Sequence, residues 1–529
     1  MSSFYTKLNT TVNNTSVTEN GMVGYKTTTH ALADFNYKIA SYRSDRKLMI
    51  EDLDKVIAEN DKYLLKFLFY VRDIREGVGE RDMFRLCIKH LLTHSFKDKD
   101  KIVDSIITNT PEFGRYDDLL LFLGTKYEDK VVDLIKSTLK TDFANYRIGE
   151  PITLLAKWLP SANASSKTTR DNANTLIKLL GTTPKEYRKT LSTLRKYLDV
   201  VEVKACKKEW SEIDYNAVPS RANLLYNSAF LRNDEERRRE FLAKLAAGDK
   251  TVKINSSVNF PHDIVHQYSG NSWGGSVKSY DETLEQLWKN LKSVVGLDDT
   301  VVVRDDSGSM TSTIGGTKIS ALEVATALGI YCAEHCSESY KDRIITFSKT
   351  PRYLDFSDKK KYSSLHNKLD FLYEHSEVAN TNIQAVFELI LKTAVDGKIS
   401  PEDMPKQILI ISDMEFDGCA ENASMSVFKY MEANYKAYGY AMPKLAFWNV
   451  NSRTGTIPVI TNDRGVSLIS GFSQNVLRLV MSGKTDPYEA LIDELSGERY
   501  SVIPEIDFNV GAAKEATEPN LMKEPAFLK

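Results

Sequence analysis

Five short apolar runs, separated by helical patterns, constrain the fold of this 529-residue chain more than any other feature. The runs lack the alternation of a half-exposed strand and contain many β-branched residues, which is typical of parallel strands buried on both faces of a sheet. Strands interleaved with amphipathic helices predict a doubly wound α/β domain, which we expect to occupy residues 293–510. The five runs are TVVV at 300–303, IITF at 344–347, ILII at 408–411, KLAFWNV at 444–450 and VSLI at 466–469.

The first run passes directly into an oxygen-rich turn, DDSGS at 305–309. Asp305, Ser307 and Ser309 stand at alternate positions, so that one carboxylate and two hydroxyls can be aimed at one point. We expect Gly308 to let the turn fold tightly. Hard divalent cations such as Mg²⁺ prefer oxygen ligands of this kind. The motif is weak by itself, since Asp and Ser also occupy ordinary turns.

Two later residues strengthen the prediction of a divalent-cation site. Thr381 lies in a loop directly before an apolar helical segment, and Asp413 follows the run at 408–411. Residues that follow parallel strands meet at the carboxyl edge of an open α/β sheet. Both side chains are therefore expected beside the turn at 305–309.

This set of residues, in this order, resembles the metal-ion-dependent adhesion site (MIDAS) of the von Willebrand factor A family. The resemblance implies a site for Mg²⁺ or another divalent cation, in which a carboxylate from a partner completes the coordination. It also implies the roles of five residues. The direct ligands would be Asp305, Ser307, Ser309 and Thr381, and Asp413 would be a direct or water-mediated ligand.

Residues 29–292 carry helical patterns without strands. Apolar residues recur at spacings of three and four, and turn signals such as TPEFG and GTTP separate the segments. Many short helices in succession predict a HEAT-like helical-repeat module, although no strict sequence period is present. The polar residues 1–28 are expected to form a flexible or loosely docked arm, and residues 511–529 a peripheral tail.

Several phrases of the helical half resemble the TROVE module, as in the Ro autoantigen. The resemblance is to an uncharacterised TROVE-related branch, and it covers about residues 60–510, including the von Willebrand A domain. It implies a monomer whose helical repeats close into a ring that binds small non-coding or misfolded RNA on a basic outer surface. The phrases are RDIREGVGERDMFR at 72–85, EFGRYDDLL at 112–120, LLAKWLPSANASS at 154–166, YRKTLSTLRKYLDVVE at 187–202, WSEIDYNAVPSRANLLYNSAF at 210–230 and GDKTVKINSSVNFPHDIV at 248–265.

Charge is divided unevenly along the chain. Residues 1–290 carry 45 Lys and Arg against 39 Asp and Glu, whereas residues 291–529 carry 25 against 33. Within the first part, residues 151–210 hold 12 basic and 5 acidic residues, a net charge of +7. A polyanion that binds this protein is therefore expected to contact residues 151–210.

The basic residues of this segment can contact phosphates, or they can be the solvated faces of surface helices. Trp158 and Tyr187 could stack on unpaired bases, although Trp158 follows an apolar run and also fits a core position. The candidate RNA-binding residues are Lys157, Lys167, Arg170, Lys178, Lys185, Arg188, Lys189, Arg195, Lys196, Lys204, Lys207 and Lys208.

Two functions of different classes fit the sequence. The favoured one is an RNA-binding ribonucleoprotein scaffold that also carries the adhesion-type metal site. The alternative is a protein-binding adaptor that captures a partner's carboxylate at the metal, without RNA. A metal-dependent nuclease using Asp305, Asp306 and Asp413 is less compatible, since a hydroxyl-rich set suits one cation held for binding. We therefore expect no enzymatic activity.

Other residues bear on location and on further metals. No apolar run approaches the roughly 20 residues that span a membrane, and the first residues lack an apolar signal-peptide core, so we expect a cytoplasmic protein. His262 and His266 have the i,i+4 spacing of a zinc helix but lack the glutamate and a third ligand. Five scattered cysteines do not suggest a disulfide framework, and Cys332 and Cys336 fit a buried helix face.

Overall fold

The computed structural model of the protein describes residues 13–269, 277–294, 296–337, 339–418, 426–461 and 464–509. These residues form two compact units, each of which contains two stretches of chain. An α/β unit contains residues 13–59 and 254–499, and a helical unit contains residues 60–253 and 500–509. This division differs from the predicted linear boundaries at 28/29 and 292/293. Cys419 lies outside the described residues.

Strands and helices are numbered separately, each in chain order. The strands are β1 (Thr15–Val17), β2 (Val23–Tyr25), β3 (Thr300–Asp305), β4 (Arg343–Phe347), β5 (Arg352–Asp355), β6 (Gln407–Ser412), β7 (Lys444–Asn449) and β8 (Val466–Ser470). The helices before the sheet are α1 (Ala31–Tyr37), α2 (Arg46–Glu59), α3 (Leu64–Arg72), α4 (Arg81–Thr93), α5 (Lys99–Phe113), α6 (Glu128–Ile148), α7 (Leu155–Trp158), α8 (Lys167–Leu180), α9 (Pro184–Tyr197), α10 (Val201–Lys207), α11 (Ser220–Leu225), α12 (Asn227–Asn233), α13 (Glu235–Ala246), α14 (Pro261–Tyr268) and α15 (Glu282–Lys289). The later helices are α16 (Ala321–Glu334), α17 (Leu365–Glu374), α18 (Gln384–Asp396), α19 (Val427–Ala437), α20 (Leu477–Met481) and α21 (Pro487–Leu495).

The α/β unit contains a six-stranded sheet with the order β5-β4-β3-β6-β7-β8. All neighbouring pairs are parallel except β4 and β5, which are antiparallel. The five predicted strands are present, and β5 was not predicted. The chain leaves β3 toward β4 on one side and returns to β6 on the other. The carboxyl ends of β3 and β6 therefore form the point where an open α/β sheet binds ligands.

Helices pack on both faces of this sheet, as predicted for a doubly wound domain. On one face, Val303, Ile408 and Ile410 belong to a core cluster that also contains residues of α18 and α19. On the other face α16 packs against β3, β4 and β6. A Cβ added to its Gly329 would be at ordinary contact distances, 3.5 Å from Ile344 Cδ1 and 3.8 Å from Arg304 Cδ. The alternation of side chains along β3 thus directs Val303 and Arg304 to opposite layers.

Helices from both ends of the predicted repeat module pack in the α/β unit instead. α1 packs against β8, and Asn449 Nδ2 donates to the Tyr37 carbonyl at 2.9 Å. α14 packs against α16 and α15. The sequence of an amphipathic helix does not indicate which layer its apolar face will pack against. The predicted boundary at 292/293 was therefore wrong.

Of the arm predicted as flexible or loosely docked, residues 13–28 form a hairpin fixed by many contacts, and residues 1–12 lie outside the described residues. β1 and β2 pair with each other, and Met22 in the turn that joins them is fully buried. Tyr25 exchanges two backbone hydrogen bonds with Ile457, both 2.8 Å. Gly24 is required at its position, because a Cβ would lie 2.6 Å from the Ile457 carbonyl oxygen. The hairpin is thereby fixed against the loop that follows β7.

The helical unit is built around an aromatic cluster. Phe69 of α3 packs against Phe84 of α4 and Phe113 of α5, with ring centroids 5.6 and 5.3 Å apart. Tyr500 stacks on Phe113 at 5.7 Å and so joins the second stretch of chain to the first. Burial of such large aromatic side chains supplies much of the driving force for packing these helices.

A buried ionic network links three segments of the helical unit. Asp118 is almost fully buried and accepts hydrogen bonds from Arg72 Nε at 2.9 Å and Arg85 Nε at 2.6 Å. Its carboxylate also accepts the backbone N–H of Arg115 at 2.9 Å. The first two TROVE-like phrases contribute these residues, so their charged positions serve packing in this structure.

In the part of the chain that the structure describes, no helix is both long enough and apolar enough to cross a membrane. The four described cysteines, Cys87, Cys206, Cys332 and Cys336, are free. Cys332 is buried on α16, as expected for an apolar helix face, and Cys336 is buried two residues after the end of that helix.

The two histidines of α14, His262 and His266, make different contacts. His266 Nδ1 lies 2.9 Å from Glu323 Oε1, and His262 packs edge-on against Phe472 with centroids 5.2 Å apart. The Glu323 hydrogen bond raises the pKa of His266, partly opposed by burial. The contact docks α14 on the first turn of α16, which supports a structural role for this residue.

We expect the substitution Asp118→Ala to destabilise the helical unit by about 3–5 kcal/mol, because it leaves the buried Arg72 guanidinium without its carboxylate and removes one of the two carboxylates that pair with the half-buried Arg85. Urea unfolding followed by circular dichroism measures this free energy. The matched control is Asp104→Ala, which removes an exposed ion pair with Lys130. The Asp104 side chain is 58% exposed. Equal effects of the two substitutions would contradict a special role for Asp118.

We expect His266→Ala to destabilise the protein more at about pH 5.5 than at about pH 8.5. The folded-state pKa of His266 is raised, so its contribution is complete below the ordinary value and is lost as the pH rises through the folded-state pKa. The difference should be about 1 kcal/mol or less, because the pair is partly exposed. Thermal unfolding at the two pH values measures it, and the pH dependence should vanish in a Glu323→Gln background.

Candidate functional site

The turn after β3 brings together the three oxygen-bearing side chains of the predicted motif. Ser307 N donates to Asp305 Oδ1 at 2.8 Å, and the hydroxyl oxygens of Ser307 and Ser309 are 3.0 Å apart. Asp305 and Ser307 are buried beneath the edge of the sheet. The structure therefore brings one carboxylate and two hydroxyls together, as the sequence predicted. Gly308 is not required sterically, because an added Cβ would meet the Ala379 carbonyl oxygen at an ordinary 3.6 Å.

Asp413 lies beside this turn because β3 and β6 are neighbours in register. Arg304 is paired with Ile411, so the residues that follow both strands leave the sheet side by side. Ser412 Oγ donates to Asp305 Oδ2 at 2.5 Å. Burial raises the pKa of Asp305, and the nearby carboxylate of Asp413 raises it further. Burial also raises the pKa of Asp413, opposed by its hydrogen bond from Ser309 and by the charge of Arg453.

The neighbouring Asp306 has a different role. Arg304 and Asp306 form a fully buried ion pair, and Arg304 also donates to Thr326 Oγ1 and Ser376 Oγ at 2.9 Å each. This network ties β3 to α16 and to the end of α17. Asp306 therefore belongs to the support behind the turn rather than to the group of Asp305 and Asp413.

Thr381 is held near the turn by backbone contacts. Gly308 N donates to the Ala379 carbonyl at 2.9 Å, which places the loop before α18 against the turn. Thr381 is buried, and its hydroxyl accepts a 3.2 Å hydrogen bond from Asn20 Nδ2. The hydroxyl of Thr381 thus already contacts the N-terminal hairpin, and its role as a direct ligand remains a prediction.

Glu415 was missed by the sequence analysis and organises the rim of the site. Its carboxylate is fully buried and accepts the backbone N–H groups of Glu19, Arg453 and Thr454 at 2.8 to 2.9 Å. Asn20 Nδ2 also donates to the Glu415 carbonyl at 2.6 Å. Glu415 thus joins the hairpin and the loop after β7, and only its position two residues after Asp413 could have indicated it.

The donor set fits a hard divalent cation. Asp305, Ser307, Ser309 and Asp413 present only oxygen atoms, and the carboxylate of Asp413 is close enough to raise the cost of ionising Asp305. A cation such as Mg²⁺ would remove that cost, and its preferred six-oxygen coordination leaves positions for waters or for a ligand. These four residues, with Thr381 as a candidate fifth, would hold the ion.

The predicted RNA-binding residues lie in the helical unit, and several of them share one exposed face of α9. This helix begins with a capping box between Thr183 and Glu186 and with a proline at its first position. Its buried side faces the core through Tyr187, Leu191 and Leu194. Four exposed basic side chains lie on the opposite side of the helix, within an arc of about 100° around its axis. Along the axis they extend over about 16 Å. They are Lys185, Arg188, Lys189 and Lys196, which we call the α9 basic face.

Five of the other candidates make contacts within the chain. Arg195 donates to the carbonyls of Ala156 and Leu159 at 2.7 Å each and to Ser161 Oγ at 2.8 Å, so it is not a free phosphate ligand. Lys204 bonds Asp199 Oδ2 at 2.7 Å, and Arg170 Nη1 donates to the carbonyls of residues 164 and 165. Lys157 is 3.8 Å from Glu202, and Lys207 is 3.7 Å from Glu209. Lys167, Lys178 and Lys208 are exposed.

The two candidate stacking residues differ in accessibility. Tyr187 is 2% exposed and donates to the Pro160 carbonyl at 2.9 Å, so the prediction that it stacks on a base is wrong. Trp158 is half-buried, and the Arg115 guanidinium lies over its ring at 3.9 Å. That guanidinium occupies one face of the indole, which supports the packing role considered for Trp158.

Comparisons with known proteins cover both units. Residues 299–523 match a family described as a domain of unknown function, DUF7788, and residues 166–299 match a second one, DUF2828. The uncharacterized protein L728 of Acanthamoeba polyphaga mimivirus is 29% identical over 510 residues, which are 89% of this chain and 85% of the viral protein. All five predicted metal ligands lie within the first match, and α8 and α9 lie within the second. The chain is thus similar to this viral protein over most of its length.

Proposed function

We propose that the α/β unit is a cation-dependent binding module that recognises a carboxylate on a protein partner. The observation that carries this proposal is the meeting of Asp305, Ser307, Ser309 and Asp413 at the carboxyl edge of β3 and β6. The resemblance of these residues to the metal-ion-dependent adhesion site supports it. A divalent cation at this place would supply a positive charge to which a partner's carboxylate can bind.

The chain's own residues prepare the site for such an ion. Ser307 N and Ser412 Oγ hold the two oxygens of Asp305, so the carboxylate has a fixed orientation. The Arg304–Asp306 pair holds the strand end from behind. Fixed, buried oxygen donors lose little freedom when an ion binds, which favours affinity and selectivity over a flexible acidic surface.

Binding is favoured over hydrolysis by the composition of the group. Two hydroxyls beside two carboxylates suit one cation, and Asp306, which a two-metal nuclease would need, is paired with Arg304. The proposal therefore assigns no catalytic residue to this chain.

We expect Mg²⁺ to stabilise the full chain by about 2.7 kcal/mol at a concentration of 100 times its Kd. In Asp305→Asn this stabilisation should be absent, because one charge of the carboxylate pair is removed while the acceptor for Ser307 N is kept. Thermal unfolding with Mg²⁺ or with EDTA measures the effect. Asp493→Asn changes an exposed acid of α21 in the same unit and should behave as the wild type. If Asp305→Asn responds to Mg²⁺ as the wild type does, the site is not at Asp305.

A second function, RNA binding by the helical unit, is favoured by the α9 basic face. Four cations on one side of a helix can neutralise several phosphates at once, whereas dispersed cations would be ordinary solvated side chains. The TROVE-like phrases support this function as well. Together the two functions describe a ribonucleoprotein scaffold. The proposal includes a monomer in the cytoplasm whose HEAT-like repeats close into a ring.

We expect RNA crosslinking to the protein in its native cell to fall about tenfold or more when the four residues of the α9 basic face are replaced by glutamate. The slope of log K for RNA binding against log salt concentration should become shallower by about 3. The variant is Lys185→Glu, Arg188→Glu, Lys189→Glu and Lys196→Glu. Arg195 is left intact because of its structural contacts.

The matched control for this variant reverses the same number of exposed cations elsewhere in the helical unit: Lys136, Lys140, Arg147 and Arg232. Sequencing of the crosslinked RNA compares the three proteins. RNA recovery at background in the wild type would favour the adaptor that binds protein without RNA, and an equal fall in both variants would contradict a special role for the α9 basic face.

A further inference from the structure

A guanidinium group lies at the rim of the candidate cation site. Arg453 is in the loop after β7, and its Nη1 donates to Asp413 Oδ2 at 3.4 Å. The Arg453 side chain is 37% exposed, whereas that of Asp413 is fully buried. Arg453 therefore extends from one of the two central carboxylates to the surface of the α/β unit.

The outer side of this guanidinium holds a carboxylate of the same chain. Glu19 lies in the turn between β1 and β2, and its Oε2 accepts a hydrogen bond from Arg453 Nε at 2.6 Å. Arg453 Nη2 lies 2.5 Å from the same oxygen. The Glu19 side chain is 57% exposed, so this ion pair forms in contact with water.

The backbone of both residues is held independently of their ion pair. The Glu415 carboxylate accepts the N–H of Glu19 and the N–H of Arg453, each at 2.8 Å. The Glu19 side chain can therefore leave Arg453 while the turn and the loop stay in place. An exposed ion pair contributes little stability, so another carboxylate can replace it at small cost.

We propose that Arg453 is the second half of the ligand site, and that the ligand is an acidic side chain of a protein partner bound jointly by the cation and Arg453. Glu19 occupies Arg453 when the partner is absent and competes with it. This inference rests on the cation site proposed above. It is carried by the position of Arg453, which contacts Asp413 on one side and already binds a carboxylate on the other. Guanidinium groups bind carboxylates by paired, charge-assisted hydrogen bonds.

The test uses the full chain saturated with Mn²⁺ and glutarate as the carboxylate probe. Water bound to Mn²⁺ enhances proton relaxation, and a carboxylate that coordinates the ion displaces water and lowers the enhancement. We expect Glu19→Gln to reduce the glutarate concentration at half-effect about threefold or more, and Arg453→Ala to raise it by a similar factor. Glu374→Gln, at an exposed position of α17, should match the wild type.

Each outcome bears on one proposal. If Glu19→Gln and Arg453→Ala bind Mn²⁺ and give the wild-type glutarate titration, the role of Arg453 in ligand binding is wrong while the cation site stands. If Arg453→Ala changes only the Mn²⁺ affinity, Arg453 merely neutralises Asp413 and the inference is likewise overturned. If the wild type and Asp305→Asn give the same Mn²⁺ relaxation, the cation site itself is wrong.

Discussion

Two carboxylates at the ends of adjacent parallel strands are the constraint on which the site depends. The register of β3 with β6 forces Asp305 and Asp413 to leave the sheet side by side beneath its carboxyl edge. Their burial would be costly without donors, and the surrounding residues supply them: Ser307 N and Ser412 Oγ for Asp305, and Arg453 for Asp413. The raised pKa of both groups shows that this compensation is incomplete. A divalent cation would complete it, which is why we propose a binding function for this edge of the sheet.

A third buried carboxylate explains how the beginning of the chain comes to border the site. Glu415 is satisfied only because the hairpin and the loop after β7 bring backbone N–H groups to it. Removing either partner would leave donors or a charge unpaired in the interior, so hairpin, loop and strand end stabilise one another. The same arrangement places Glu19, Asn20 and Arg453 around the candidate ligands. The residues that pack the hairpin against the loop after β7 therefore also border the candidate site.

The sequence predicts the sheet and its central turn well, because parallel strands buried on both faces need continuous apolar runs and their polar ends are conspicuous. It does not reveal β5, an edge strand with the sequence RYLD that pairs antiparallel with β4 and carries no apolar run. Nor does it reveal Glu415 or the hairpin, whose contacts join residues almost 400 positions apart. Among the basic residues, composition identifies the segment, but only the structure separates Lys185 on an exposed face from Arg195, which bonds three neighbours in the fold.

The charge of the two parts of the chain argues for different ligands at the two candidate sites. Residues 291–529 carry eight more acidic than basic residues, so a polyanion such as RNA would be repelled from most of that surface. A single acidic side chain on a protein suffers less repulsion and can still use a local cation and Arg453. The α9 basic face offers the opposite conditions, with several exposed cations in a row and no fixed carboxylate pair among them. We therefore propose phosphates as the ligand of the α9 basic face and a carboxylate as the ligand of the turn after β3.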